Sequence, residues 1–253
     1  MDLSLFCDTY IIAEYHRLKA VLDNMPRYRF GTHNGIQIVR VYSGTGKDTV
    51  CREISLTGRY AAPIKQKHEQ YLKCQKDLEQ FKYELYRRHL PVPNGFRFVR
   101  DPSPFDVNAW NQFIECSNPY EVNTEYYDDF GYNVRSRGEM ILGNALKELG
   151  LEVKYEPSLM LKGSRRKSPD YSFPVRILDR CFFVEFIGQT DKQDYLDSIH
   201  GKFDEYLRNG ILPNRDLILI CGTEKWIPSQ ESMKRIISAF INNAVLSTYN
   251  KVI

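Results

Sequence analysis

Three carboxylates in the C-terminal half of the chain stand where an acid needs a reason. Glu185 lies in the middle of "CFFVEFI", between Val184 and Phe186, in a run that reads as a buried strand. A carboxylate there is costly unless a cation or hydrogen-bond donors compensate it. Asp170 ends the "SPD" turn at the head of the preceding strand "YSFPVRI", and Glu139 falls in the first turn of a helix that begins after Ser136. Two of the three also have plain structural roles open to them. Glu139 follows Ser136 by three residues, the capping-box spacing, and Asp170 follows a proline as turn aspartates do. At about 100° per residue, however, Leu142, Gly143 and Leu146 share the side of Glu139, which points it towards a sheet. Converging oxygen ligands suit a hard divalent cation: Mg²⁺ takes one or two carboxylates and keeps places for water and phosphate oxygens.

The elements that must position these acids are readable. Ser136 and Gly150 bracket the helix "RGEMILGNALKELG"; "LEVKYEP" follows as a strand, then the loop "LMLKGSRRKSPD". "YSFPVRI" and "CFFVEFI" flank "LDR" closely enough for a hairpin, with Pro174 marking the first strand as an edge or irregular one. A helix over about 192–209 leads to the apolar strand "DLILICG", and a last helix starts near Ser229. The expected order is α-β-β-β-α-β-α, an α/β mixed sheet flanked by helices. On the 192–209 helix, Lys202 borders the face that carries Tyr195, Ile199 and Tyr206.

This order, with acids at these points, resembles the PD-(D/E)xK or restriction-endonuclease-like nuclease superfamily, over roughly residues 135–245. Pro169-Asp170 matches the "PD", Glu185 the acid of the "ExK", and Glu139 the acid on the first helix of an αβββαβ core. Ile187 stands where the family has its lysine. Some branches of the superfamily supply that lysine from the following helix, which nominates Lys202, with Gln189, Lys192 and Tyr206 as alternatives. The resemblance implies a catalytic set of Glu139, Asp170, Glu185 and Lys202, with the three acids binding Mg²⁺ or Mn²⁺. It implies phosphodiester hydrolysis in which the cation activates water and neutralises the scissile phosphate.

Composition permits this chemistry without announcing it. The chain has 253 residues, 42% hydrophobic and 26% charged, with a formal charge of +3, so any nucleic-acid signal must be local. Lys162, Arg165, Arg166 and Lys167 precede Asp170 directly, and Arg135 and Arg137 flank the helix cap; all six are candidates for holding a phosphate backbone. Six scattered cysteines without a C-x-x-C pair argue against a zinc ribbon or disulfide framework, and no segment reads as a signal peptide or membrane span. A cytoplasmic protein is expected.

Residues 1–100 read as a separate α+β module: a helix over 8–24, a small antiparallel meander broken at Gly35 and Gly44/Gly46, and a helical stretch from Pro63 to His89. The heptad-spaced seam Ile64, Tyr71, Leu78 and Leu85 in that stretch suits an αα-hairpin or a short coiled coil. Residues 101–134 connect it to a nuclease-like domain at 135–253. The module is a candidate for binding DNA or a protein partner, or for making a homodimer. The leading expectation is a prokaryotic metal-dependent DNA endonuclease of restriction, transposition or anti-phage defence, with DNA favoured over RNA. Its rivals are a noncatalytic nucleic-acid-binding or assembly subunit with a degenerate nuclease fold, and an RNase or structure-specific resolvase.

Overall fold

The computed structural model describes the chain except residues 45–46, 48, 58–60, 93–104, 117, 119–120, 163–166 and 250–253. Among the described residues it is a mixed α/β protein with six α-helices and two sheets. The chain divides into two compact units, Tyr10–Phe96 and Met1–Thr9 with Arg97–Ile253. No described helix is long and apolar enough to cross a membrane.

In the Tyr10–Phe96 unit, α1 (Asp8–Asn24) leads to the antiparallel meander β1 (Arg27–His33), β2 (Ile36–Ser43) and β3 (Val50–Ser55), followed by α2 (Ala61–Arg87). Asn34 and Gly35 turn β1 into β2 with φ of 51° and 77°, the left-handed pair that a tight two-residue hairpin requires. The heptad seam of residues 64–85 belongs to one unbroken helix of 27 residues, so the αα-hairpin reading is corrected. No glycine interrupts it, and its Pro63 sits in the first turn, where no intrahelical amide bond is lost.

The other unit holds α3 (Val107–Gln112), α4 (Arg137–Glu148), β4 (Lys154–Tyr155), β5 (Tyr171–Val175), β6 (Arg180–Ile187), α5 (Gln193–Arg208), β7 (Leu217–Cys221) and α6 (Gln230–Tyr249). The sheet order is β4-β5-β6-β7, antiparallel except for the parallel β6–β7 pair. Successive β6 residues point to opposite faces. Cys181 and Phe183 pack with Trp110 of α3 and Tyr206 of α5, while Phe182 meets Phe240 of α6 and Phe186 covers Gly138 of α4. Helices therefore cover both faces, and every β6 residue is buried.

Three local outcomes depart from the sequence reading. The strand expected over 151–157 is only two residues long, because Glu156 turns left-handed at φ 41°. Pro174 lies in a strand with neighbours on both sides, but β4 pairs only Tyr171 and Ser172, so at Pro174 no second ladder asks for the missing amide. The first nine residues belong with the later elements: Leu3 and Phe6 are buried, and Lys234 of α6 gathers Asp2 at 3.1 Å, Glu148 at 3.0 Å and Glu231 at 2.9 Å.

Gly143 is one of two glycines, with Gly138, that let α4 come close to its neighbours. A Cβ there would lie 2.5 Å from Asp128 Oδ2 and 2.6 Å from the Tyr171 hydroxyl, groups that hydrogen bond to each other at 2.7 Å. Alanine ordinarily favours a helix interior over glycine by about 1 kcal/mol. Here Gly143→Ala is expected to destabilise instead, by about 1 to 3 kcal/mol, because the hydrogen-bonded pair must be pushed apart. Urea unfolding of the two proteins checks the sign.

Candidate active site

Strand register creates the centre. Tyr171 pairs with Val184, so Asp170, one residue before β5, comes opposite Glu185 on the same face. Asp170 Oδ2 accepts a 2.6 Å hydrogen bond from the Phe186 amide, which ties the turn to β6. Lys202 and Tyr206 are four apart on α5 and so share a face. Lys202 Nζ lies 2.6 Å from Glu185 Oε1 and 2.8 Å from Oε2, and the Tyr206 hydroxyl donates to Oε1 at 2.7 Å. Glu185, only 5% exposed, is thus compensated by one cation and one hydroxyl.

Glu139 caps its own helix and also faces the sheet. Its amide donates to Ser136 Oγ at 3.1 Å, and that hydroxyl donates to Glu139 Oε1 at 2.9 Å, which caps α4. Its other oxygen turns to the sheet and accepts from the Tyr155 hydroxyl at 2.9 Å. Beside it, Arg135 grips Glu156 through Nε at 2.6 Å and Nη2 at 3.2 Å.

The electrostatics are lopsided. Burial, then the charges of Glu185 and Glu139, push the Asp170 carboxyl well above its ordinary 3.8, against Lys202 and the Phe186 amide, which favour ionisation. Burial also raises Glu139, with hydrogen bonds from Tyr155 and Ser136 opposing it. For Lys202, burial works against the charge, but Glu185 and Asp170 outweigh it and the ammonium is held above the ordinary lysine value. Tyr206 is driven well above the usual phenol range by burial and by Glu185. One lysine therefore faces three acids, and Asp170 bears the excess.

A hard divalent cation takes oxygen donors of this kind, and Asp170, Glu185 and Glu139 are the residues that could offer them. Among the described residues no group of three or more His, Cys, Asp or Glu side chains is placed to hold a metal ion. Water or phosphate oxygens would complete the shell, as Mg²⁺ usually requires.

The other predicted residues scatter. Lys162 is exposed at the loop before Asp170; Lys167 pairs with Glu205 at 3.3 Å; Arg165 and Arg166 lie outside the described residues. The loop is pinched by reciprocal Leu159–Lys167 backbone bonds of 2.8 and 3.2 Å. Arg137 is exposed, whereas Arg135 is engaged with Glu156. Gln189 is exposed in a turn, and Lys192 pairs with Glu224 at 3.0 Å on the surface. Sequence reasoning missed Tyr155, Glu156 and Asp128. The pair Tyr155-Glu156 at a strand end was a usable signal. Asp128 had none, since it works by accepting the Phe130 and Tyr132 amides and the Tyr171 hydroxyl in an irregular segment.

Comparison of the chain with protein-family models, with curated proteins and with solved structures returned no match.

Two outcomes are expected of this geometry in metal-free buffer. A carboxyl whose folded pKa exceeds its unfolded value adds stability at low pH that is lost as pH rises from about 4 through the folded value. Asp170→Asn should therefore flatten that decline and leave the protein more stable than the parent at pH 8, read from urea unfolding at several pH values. Lys202→Ala strands a buried carboxylate and should cost on the order of 2 to 3 kcal/mol, somewhat less than for a fully buried pair because the lysine is 27% exposed. The double change Lys202→Met with Glu185→Gln should cost less than Lys202→Ala alone; a larger cost would mean that the pair is not the source of the effect.

Proposed function

We propose that the Met1–Thr9 and Arg97–Ile253 unit is a metal-dependent phosphodiesterase that cuts DNA, built on a restriction-endonuclease-like core. The observation that carries this reading is the juxtaposition of Asp170 and Glu185 across the β5–β6 hairpin, with Lys202 reaching over from α5. The order α4-β4-β5-β6-α5-β7 accords with the αβββαβ core of that superfamily.

The roles follow from position. Asp170 and Glu185 would hold Mg²⁺ or Mn²⁺ with help from Glu139, and the bound ion would neutralise charge on the scissile phosphate and activate a water. Lys202 contributes a permanent positive charge at the same edge, in place of the lysine for which Ile187 leaves no room: Ile187 is buried, 8% exposed. Tyr206 fixes the orientation of Glu185, and Tyr155 that of Glu139. Lys162, together with Arg165 and Arg166, would meet the backbone of the substrate.

A second reading has its own support. Glu185 is already satisfied by Lys202 and Tyr206, which a noncatalytic assembly subunit would retain for stability alone. Incubation with plasmid, linear and branched DNA and with RNA, in Mg²⁺ or Mn²⁺, separates the two. The parent is expected to cut DNA, and Asp170→Asn, Glu185→Gln and Lys202→Ala each to lose at least about 10²-fold in rate. A parent inert on every substrate establishes the assembly subunit. Cutting confined to RNA or to branched DNA makes the protein a ribonuclease or a resolvase.

A further inference from the structure

The whole-chain charge of +3 conceals two units of opposite sign. Tyr10–Phe96 contains 15 lysines and arginines against 8 aspartates and glutamates, a net of +7, which leaves −4 on the rest of the chain. The N-terminal unit is therefore the polyanion-seeking part of the protein.

Its sheet shows where that charge is organised. Tyr28 and Phe30 of β1 meet His68 of α2 edge-on, with ring centroids 5.6 and 4.7 Å apart, so their face turns towards α2, with Phe30 still 41% exposed; on the other face Ile38, opposite Gly31, is buried. Alternation puts Arg27, Arg29 and His33 on the opposite face. The β1–β2 register sets Arg29 directly against Arg40 and Arg27 against Tyr42. Like charges directly opposite each other destabilise a strand pair. Glu53 of β3 offsets only part of this, bonding Arg40 at 3.0 Å and His33 at 2.5 Å. Arg27 and Arg29 are exposed, and among the described residues neither has an ion-pair partner.

The shape of the ribbon selects the anion. β3 pairs with β2 from Ile38 onward and the Leu56 amide bonds the Gln37 carbonyl at 2.9 Å, so among the described residues the tip around the Asn34-Gly35 turn is two strands wide, with His33 55% and Ile36 50% exposed at its end. The major groove of B-form DNA admits a two-stranded ribbon, whereas the deep, narrow major groove of A-form RNA does not admit side chains. Guanidinium groups in a row match phosphate oxygens in fork geometry.

We infer that the outer face of the β1–β2 ribbon docks duplex DNA, with Arg27, Arg29 and Arg40 on its phosphates and the Asn34-Gly35 tip entering the major groove. DNA as the occupant accords with the phosphodiesterase reading, on which this assignment rests. The ribbon holds the duplex, and cutting belongs to the other unit.

The test is fluorescence anisotropy of the full chain with a labelled 20-base-pair DNA duplex in EDTA, where no cutting occurs, across a KCl titration. Arg27→Ala, Arg29→Ala and Arg40→Ala combined should weaken binding to unrelated sequences alike and lower the slope of log K against log salt by about 2 to 3, from roughly 0.9 per phosphate contact. The triple lysine variant should keep most of the slope, and Glu53→Gln should tighten binding. Melting curves confirm that these surface variants stay folded. An unchanged slope in the triple alanine variant overturns the inference, as does a parent that binds duplex RNA but not DNA, or neither. A parent that binds with the expected slope yet cuts nothing in Mg²⁺ leaves the docking face standing and removes the phosphodiesterase.

Discussion

A carboxylate inside a fully buried strand has to be answered by something, and in this protein the answer comes from α5. Lys202 and Tyr206, one helical turn apart, both reach Glu185, so α5 can dock on β6 in only one rotation. Effective desolvation costs several kcal/mol per buried ion, and the pair repays this only with close geometry and further hydrogen bonds. Tyr206 supplies that further bond while its ring packs with Phe183, Trp110 and Leu217. The same contact thus secures the helix, the parallel β6–β7 pair that α5 connects, and the acid itself.

Compensation at Glu185 leaves its neighbour uncompensated. Asp170 is fixed against the Phe186 amide at the end of the hairpin, near two acids and one lysine whose charge is already engaged. Burial and the neighbouring acids push that carboxyl up, against Lys202 and the Phe186 amide. Structural ion pairs normally balance, whereas here one lysine faces three acids held on rigid elements, a strand, a hairpin turn and a helix cap. Arg135 directs its guanidinium elsewhere, with Nε and Nη2 donating to Glu156 and Nη1 to the Glu121 carbonyl.

The division of labour between the two units follows the distribution of charge. The acidic unit carries the candidate chemistry, which needs carboxylates, while the basic unit carries an arginine-lined sheet face. Lys202 is the one basic group that the described residues place against these acids, at 2.6 Å from Glu185, while the arginine face belongs to the other unit.

Much of the candidate site was legible because its signals are local. Ser136 and Gly150 bound α4, the short "LDR" connection announced the β5–β6 hairpin, and the wheel of α5 put Lys202 beside Tyr206. Periodicity and capping depend on neighbours within a turn or two, and the sequence contains those neighbours. What only the tertiary structure decided were partnerships across long separations. Arg135 looked like a phosphate ligand and is bound to Glu156; Asp128 lay in an unreadable stretch and supports Tyr171; Met1–Thr9 looked like part of the first module and is tied to α6 through Lys234. Even the shortness of β4 is a tertiary result, set by the left-handed turn at Glu156 whose amide bonds the Asp170 carbonyl at 2.9 Å. Residue type and spacing determined which side chains face the core, but which charge answers which was settled only when the sheet and helices closed and brought distant partners within reach.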